Sequence, residues 1–189
     1  MDKRAFKNTV LLIIELAGSK GIGAIKLNKC LLIYDAMYYA LHKESFTDTI
    51  YTKNHFGPVP YNEAKSVIDE MVNCGDILLT KTKWDHNKHE NNHTLAHGLK
   101  APRDYFLNDD IERIKSIVDK VMEMSANELS NITHDREYHK TMQNETINLN
   151  EIFEWKVIDD IEYTKEDDKK LEEILKDNFD DFNTFVRAT

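Results

Sequence analysis

The chain has 189 residues and a formal net charge of −9, with 41% hydrophobic and 31% charged residues, the balance of a soluble globule rather than a disordered chain. Its longest uninterrupted aliphatic run, Val10–Ile14, is far too short to span a bilayer, and Glu15 breaks it before it could act as a secretion signal. Cys30 and Cys74 both fall in apolar helical patterns and read as buried thiols, so a cytoplasmic setting is expected.

The charge is unevenly spread. Residues 151–189 hold 13 acids against 6 bases, whereas residues 1–150 hold 21 acids and 19 bases. Such a field repels phosphate backbones and favours a basic partner.

The spacing of Phe6, Val10, Ile13, Ile14 and Ala17 predicts a first helix over about 3–17, ended by the flexible joint Gly18, Gly21 and Gly23. A second helix follows over about 25–42. Leu27, Cys30, Leu31, Tyr34, Met37, Tyr38 and Leu41 form one stripe, and Leu32, Ile33, Ala36 and Ala40 make the other side apolar as well. A helix apolar all round is packed on all sides, which makes it the centre of the fold. Residues 49–56 read as a strand, stopped by the rigid turn Gly57-Pro58-Val59-Pro60.

Ala64, Val67, Ile68, Met71 and Val72 place a third helix over 61–73, with Gly75 as its C-terminal cap. Two strands, 77–84 and 92–99, are expected around a polar loop at 85–91. Helix, helix, strand, helix, hairpin is the order of a winged helix, with the hairpin as the wing. Beyond Pro102, Asn108 can cap a helix lined by Ile111, Ile114, Val118, Val121 and Met122. Ser125–Glu128 fits a capping box, Thr133 can cap a helix around 135–141, and residues 143–150 form a polar connection. A second box at Thr164–Asp167 opens a last helix burying Leu171, Ile174, Leu175, Phe182, Phe185 and Val186.

Chemistry is sparse. His86, His89, His93 and His97 crowd the hairpin and could supply zinc nitrogens, with His93 and His97 on one face of a strand. Their spacing matches no zinc-finger pattern, and a solvated wing accounts for them. Neither cysteine carries a nucleophile signature, there is no nucleophile elbow, and the Gly18–Gly23 glycines follow a helix rather than a strand. No cofactor is called for and no enzyme is expected. As a reading helix for nucleic acid, the third helix would present Asn62, Glu63, Lys65, Ser66, Asp69, Glu70 and Asn73, a poor match to phosphate; only Lys81, Lys83 and Lys88 on the wing are basic.

Three segments carry a resemblance. They are Lys26-Leu27-Asn28-Lys29-Cys30-Leu31-Leu32-Ile33-Tyr34-Asp35, then Gly57-Pro58-Val59-Pro60 before an amphipathic helix, then Ser125 to Thr133-His134 with its Leu129-Ser130 pair. In this order, over roughly residues 5–145, the chain resembles the Panacea domain of the SocA-like antitoxins. It departs from that pattern at Cys30, which separates Lys29 from the leucine pair, and at Tyr138, where the family often has tryptophan.

The resemblance implies a cytoplasmic, non-enzymatic protein of toxin–antitoxin operons and prophages. Such proteins neutralise a cognate toxin or other target protein by direct binding, or deliver it to a protease as an adaptor. On this basis Lys26, Lys29 and Asp35 on the polar edge of the second helix, the turn Gly57, Pro58, Val59 and Pro60, and His134 are the partner-binding candidates. Each also has a structural reading, as an internal pair, a turn that aims the next helix, or a filler between helices. Tyr34 reads as packing.

The expected fold is α+β, mainly α-helical, with a small antiparallel sheet in a winged-helix-like centre and an added C-terminal helix. Residues 1–150 form the Panacea-like domain, and the acidic extension 151–189 packs on it. The alternative function is a winged-helix transcriptional regulator.

Overall fold

A computed structural model of the chain describes residues 1–149 apart from Phe56, His86, Asn87 and Asp135, with backbone alone over the rest of 82–91 and at Arg136 and Glu137. The extension 151–189, its expected capping box and helix, and the side chains of Lys83, Lys88, His86 and His89 lie outside the described residues.

The Asp2 carboxylate accepts from the Arg4 and Ala5 amides at 2.8 and 3.1 Å and so starts α1 (Lys3–Ala17). Its face Phe6, Val10, Ile13 and Ile14 is buried as the spacing predicts. The glycines that follow are not a loose joint. Ile22–Gly23 form β1, and Gly21, at φ +70°, lies so close that a Cβ would stand 2.5 Å from the His93 carbonyl oxygen. Only glycine lets the two backbones approach this closely.

Helix α2 (Ala24–His42) is buried on nearly every side, from Leu27 through Met37 apart from the half-buried Asn28. It packs against α1, β1, the later strand β5 (Lys88–Leu95), and the later helices α4 (Asn108–Glu123) and α5 (Ala126–Ile132). Each large apolar side chain sunk there contributes roughly 1.5–3 kcal/mol.

The expected strand at 49–56 shrinks to β2 (Tyr51–Thr52). Asp48 adopts φ +51° ahead of it, so the extended run is interrupted there even though Thr47, Thr49 and Tyr51 point inward and Asp48 and Ile50 outward. The turn is also shorter than expected: Val59–Pro60 form β3, paired antiparallel to β2 with Tyr51 opposite Pro60. The polar connection supplies a further edge, because Lys53 donates to the Glu145 carbonyl and Ile147 to the Tyr51 carbonyl at 2.9 and 2.8 Å.

Helix α3 (Asn62–Asn73) buries Ala64, Val67 and Met71. It ends at Cys74, with Gly75 at φ +81° and paired bonds from Gly75 to Val72 and from Asp76 to Met71 at 3.1 and 2.9 Å. Gly75 thus closes the helix one residue past its cap. Cys74 is exposed there, contrary to the buried thiol expected. Cys30 is buried, and burial pushes its thiol well up.

The wing is β4 (Ile77–Asp85) and β5 (Lys88–Leu95), paired from Ile77 opposite Leu95 out to Asp85 opposite Lys88. The ladder therefore runs through most of the segment expected as loop, and β5 stops before His97. With β1 the sheet order is β1-β5-β4, antiparallel throughout. Helix α1, strand β1, helices α2 and α3 and this hairpin follow one another in the order of a winged helix.

A 3-10 turn at Arg103–Tyr105 leads to α4. Its N-cap is Leu107 rather than Asn108, and the Asp110 carboxylate takes the Leu107 amide at 3.3 Å. Ile114, Ile117, Val118 and Val121 are its buried line. Helix α5 opens on the expected box, with Ser125 and Glu128 exchanging bonds of 2.7 and 3.2 Å. Helix α6 (Arg136–Lys140) follows. No helix among the described residues is long and apolar enough to cross a membrane.

Candidate functional site

Asp35 sits in the middle of α2 and is fully buried. Its carboxylate takes the Thr47 amide at 2.9 Å, the Thr47 hydroxyl, and the Tyr51 hydroxyl at 2.7 Å. The Thr49 hydroxyl lies 2.7 Å from that of Thr47. Burial pushes the Asp35 carboxyl up, and the bonds from Thr47 and Tyr51 oppose that shift. The cluster ties the loop after α2 back onto the helix and so sets where β2 begins.

A turn and a half toward the helix N-terminus, Lys29 is only 1% exposed. Its ammonium donates to the Pro58 carbonyl at 3.1 Å. Burial draws its pKa down to about 7, with no acid among the described residues close enough to restore it. Gly57, at φ +88°, is closed in on two sides: a Cβ would overlap Thr133 Oγ1 and Lys29 Nζ. The Thr133 hydroxyl donates to the carbonyls of Leu129 and Ser130, at 2.9 and 3.2 Å. It therefore finishes α5 instead of capping α6, because those freed carbonyls need a donor.

His134 follows directly. Its ring lies flat on that of Tyr138, with centroids 4.0 Å apart and planes at 6°. Tyr138 in turn donates to the Asn54 carbonyl at 2.9 Å, and the Lys53 ammonium sits 4.4 Å over its ring. Burial pulls the His134 imidazole below its ordinary range, helped by Lys29, His139 and His55 and opposed by a bond to the His55 backbone. Its Nε2 is buried and meets no hydrogen-bond partner among the described residues.

Segments far apart in sequence thus meet at one junction: Lys29 from α2, Gly57 and Pro58 from the turn, and Thr133 and His134 from the end of α5. Lys29 and Thr133 are engaged with backbone carbonyls here, which makes the junction a strut across three elements.

The sequence-level candidates divide accordingly. Lys29 and Asp35 are inside the fold and not on a polar edge of α2. Gly57 and Pro58 are buried too. Lys26 is half-buried, and its ammonium meets the Met122 carbonyl at 2.9 Å, where it balances the negative end of α4. Val59, Pro60 and His134 keep part of their surface in solvent. Tyr34 is fully buried and packs on Tyr38 and Phe46, as expected.

Elsewhere the expectations fare unevenly. His93 is buried in β5 with Nδ1 3.1 Å from the Ile22 carbonyl, while His97 lies exposed beyond the strand, so the two do not share a strand face. Among the described residues no three His, Cys, Asp or Glu side chains are placed to hold a metal. The polar face read for α3 is exposed throughout, and its single lysine is paired, Lys65 to Asp69 at 2.7 Å. Thr47, Tyr51 and Thr133 were missed as members of these clusters. For Thr133 the signal was its place beside His134 at a helix end.

Neither the curated proteins nor the solved structures compared with the chain give a match. A family model described as antitoxin SocA-like, Panacea domain, matches residues 27–140, a shorter span than the 5–145 expected from the motifs. It begins within α2, and α1 and β1 precede it, although both pack into the same body. More than half the chain is covered, and the matched span contains Lys29, Asp35, Gly57–Pro60 and His134. The chain therefore belongs to the antitoxin SocA-like family and carries its Panacea domain.

Proposed function

We propose that the protein neutralises a cognate protein toxin, or a host target in a prophage-borne setting, by direct contact and without catalysing a reaction. Membership of an antitoxin family carries the reading. The junction supports it, because its bonds stiffen a surface on which Val59, Pro60 and His134 remain reachable. In this reading Val59, Pro60, His134 and the stem of Lys26 touch the partner. Lys29, Asp35, Gly57 and Pro58 hold that surface in shape.

The test is co-expression with each small open reading frame beside the gene, scoring growth rescue and then co-purification. Rescue with a stoichiometric complex is the expected result; no rescue and no complex with any neighbour would overturn it. Toxin that persists at full level identifies sequestration, and toxin lost only in protease-competent cells identifies delivery. The winged order favours one second reading, a regulator of its own promoter. It predicts a promoter complex that weakens steeply with salt, against which stands the acidic face of α3, with Lys65 already paired.

A further inference from the structure

A cleft of about 420 Å³ opens between the start of α2, β3, α3 and β5, a size suited to a small ligand. Ile25, Val59 and Ile68 give it apolar walls, and Asn28, Asn62 and His93 polar ones. Lys29 is part of the same wall.

The charges around this cleft do not balance. Lys65 and Asp69, facing it from α3, cancel each other at 2.7 Å. On β5, His93 bonds the Ile22 carbonyl through Nδ1, so its proton sits there and Nε2 is left as an acceptor; burial keeps the ring neutral. From α2, Lys26 is held by the Met122 carbonyl, and from the α5–α6 junction His134 faces the Lys29 amine with a depressed pKa of its own. Lining the cleft and almost wholly buried, Lys29 has among the described residues one uncharged acceptor, the Pro58 carbonyl, for three ammonium hydrogens. A buried ammonium without an anion is costly. The start of α2 adds to the same field, since Gly23 offers no side-chain cap and Ala24 and Ile25 line the cleft.

We propose that this cleft binds a monocarboxylate with a small apolar body, the carboxylate bonded to the Lys29 ammonium and the body held by Ile25, Val59 and Ile68. One unmatched cation suits one negative charge; a phosphate dianion would call for further cations, and no arginine among the described residues lines the cleft. The carboxylate comes from a free small acid or from the C-terminal residue of a partner chain. Only the second source rests on toxin capture, so failure of that reading leaves the first standing.

Binding an anion favours the charged amine, so association takes up a proton above pH 7, the pKa of the free amine being about 7. The experiment titrates the full chain by calorimetry with N-acetyl-leucine and N-acetyl-Gly-Ala-Leu, each as free acid and as amide. The expected result is saturable binding of acid but not amide. Affinity falls about tenfold per pH unit above 7, and Lys29→Met weakens binding at least about tenfold while an exposed control, Lys115→Met, does not. Equal binding of N-acetyl-leucine and the tripeptide acid identifies a free small acid; binding of the tripeptide alone identifies a chain terminus. If Lys29→Met does not fold, proton uptake by the wild-type chain at pH 8, read from enthalpies in two buffers, decides. Amides that bind like acids, no proton uptake, or no saturable binding of any probe up to about 10 mM overturns the proposal.

Discussion

Gly57→Ala tests whether the junction is held by close packing. At φ +88° an alanine is strained whatever its surroundings, at a cost of roughly 1–2 kcal/mol. Its Cβ also occupies space held by Thr133 Oγ1 and Lys29 Nζ. Neither neighbour can yield freely, since the first is bonded to Leu129 and Ser130 and the second to Pro58. Displacing either leaves a buried polar group unsatisfied, worth about 1–3 kcal/mol. The expected loss is about 3–4 kcal/mol, a large share of the 5–15 kcal/mol typical of a domain. Gly75→Ala is the control. Its φ is +81°, but a Cβ there meets nothing within 4 Å, so only the conformational part remains. In urea, with a slope of about 2–3 kcal/mol per molar for a chain of this length, the Gly57 variant should unfold roughly 1–2 M before wild type and clearly before the control. Equal losses for the two variants would refute the argument that Lys29 and Thr133 are clamped on Gly57.

The remaining predictions concern burial and charge. Lys29 has a folded pKa of about 7 against 10.5 unfolded, so the unfolded chain holds the extra proton between those values and stability rises with pH across that window, by up to roughly 1.4 kcal/mol per unit. Urea midpoints between pH 7 and about 9.5 should show this slope and Lys29→Met should flatten it; an unchanged slope in the variant would assign it elsewhere. Asp35→Ala strands the Thr47 amide and the Tyr51 hydroxyl and should cost about 2–4 kcal/mol, whereas Asp35→Asn, which keeps an acceptor, should cost less than half of that. A thiol reagent should modify one cysteine rapidly in the native protein, Cys74, and reach Cys30 only on unfolding; two fast thiols would contradict the buried α2. Ser125→Ala should remove about 1 kcal/mol by breaking the capping box, measured as a drop in melting temperature.

Local patterns that bury or cap within a few residues were legible in the sequence. The α1 stripe, the all-round apolar α2, the α3 face and the Ser125–Glu128 box each appear as read, because period and cap chemistry act over one or two turns. The hairpin was read with its loop too long and its second strand four residues too late, at 92–99 instead of 88–95, since polar residues at 85–91 resemble a loop whether or not their backbones pair. Cys74 was misplaced for a related reason. It follows an apolar face by one step, and only the helix end at Gly75 turns it outward.

The partner candidates show the boundary most clearly. Their residue types and order marked a family, and the family match agrees over residues 27–140. A lysine and an aspartate in a helix nevertheless read as a polar edge, and both are inside. Nothing within the helix distinguishes the two cases. Lys29 is covered by Gly57 and Pro58, 28 and 29 positions later, and Asp35 by Thr47 and Tyr51 across a loop. The order of elements and the amphipathic faces are therefore properties of the sequence itself. Burial of a charge and the company it keeps are decided by tertiary closure, because desolvation depends on what lies against a group and not on its neighbours in the chain.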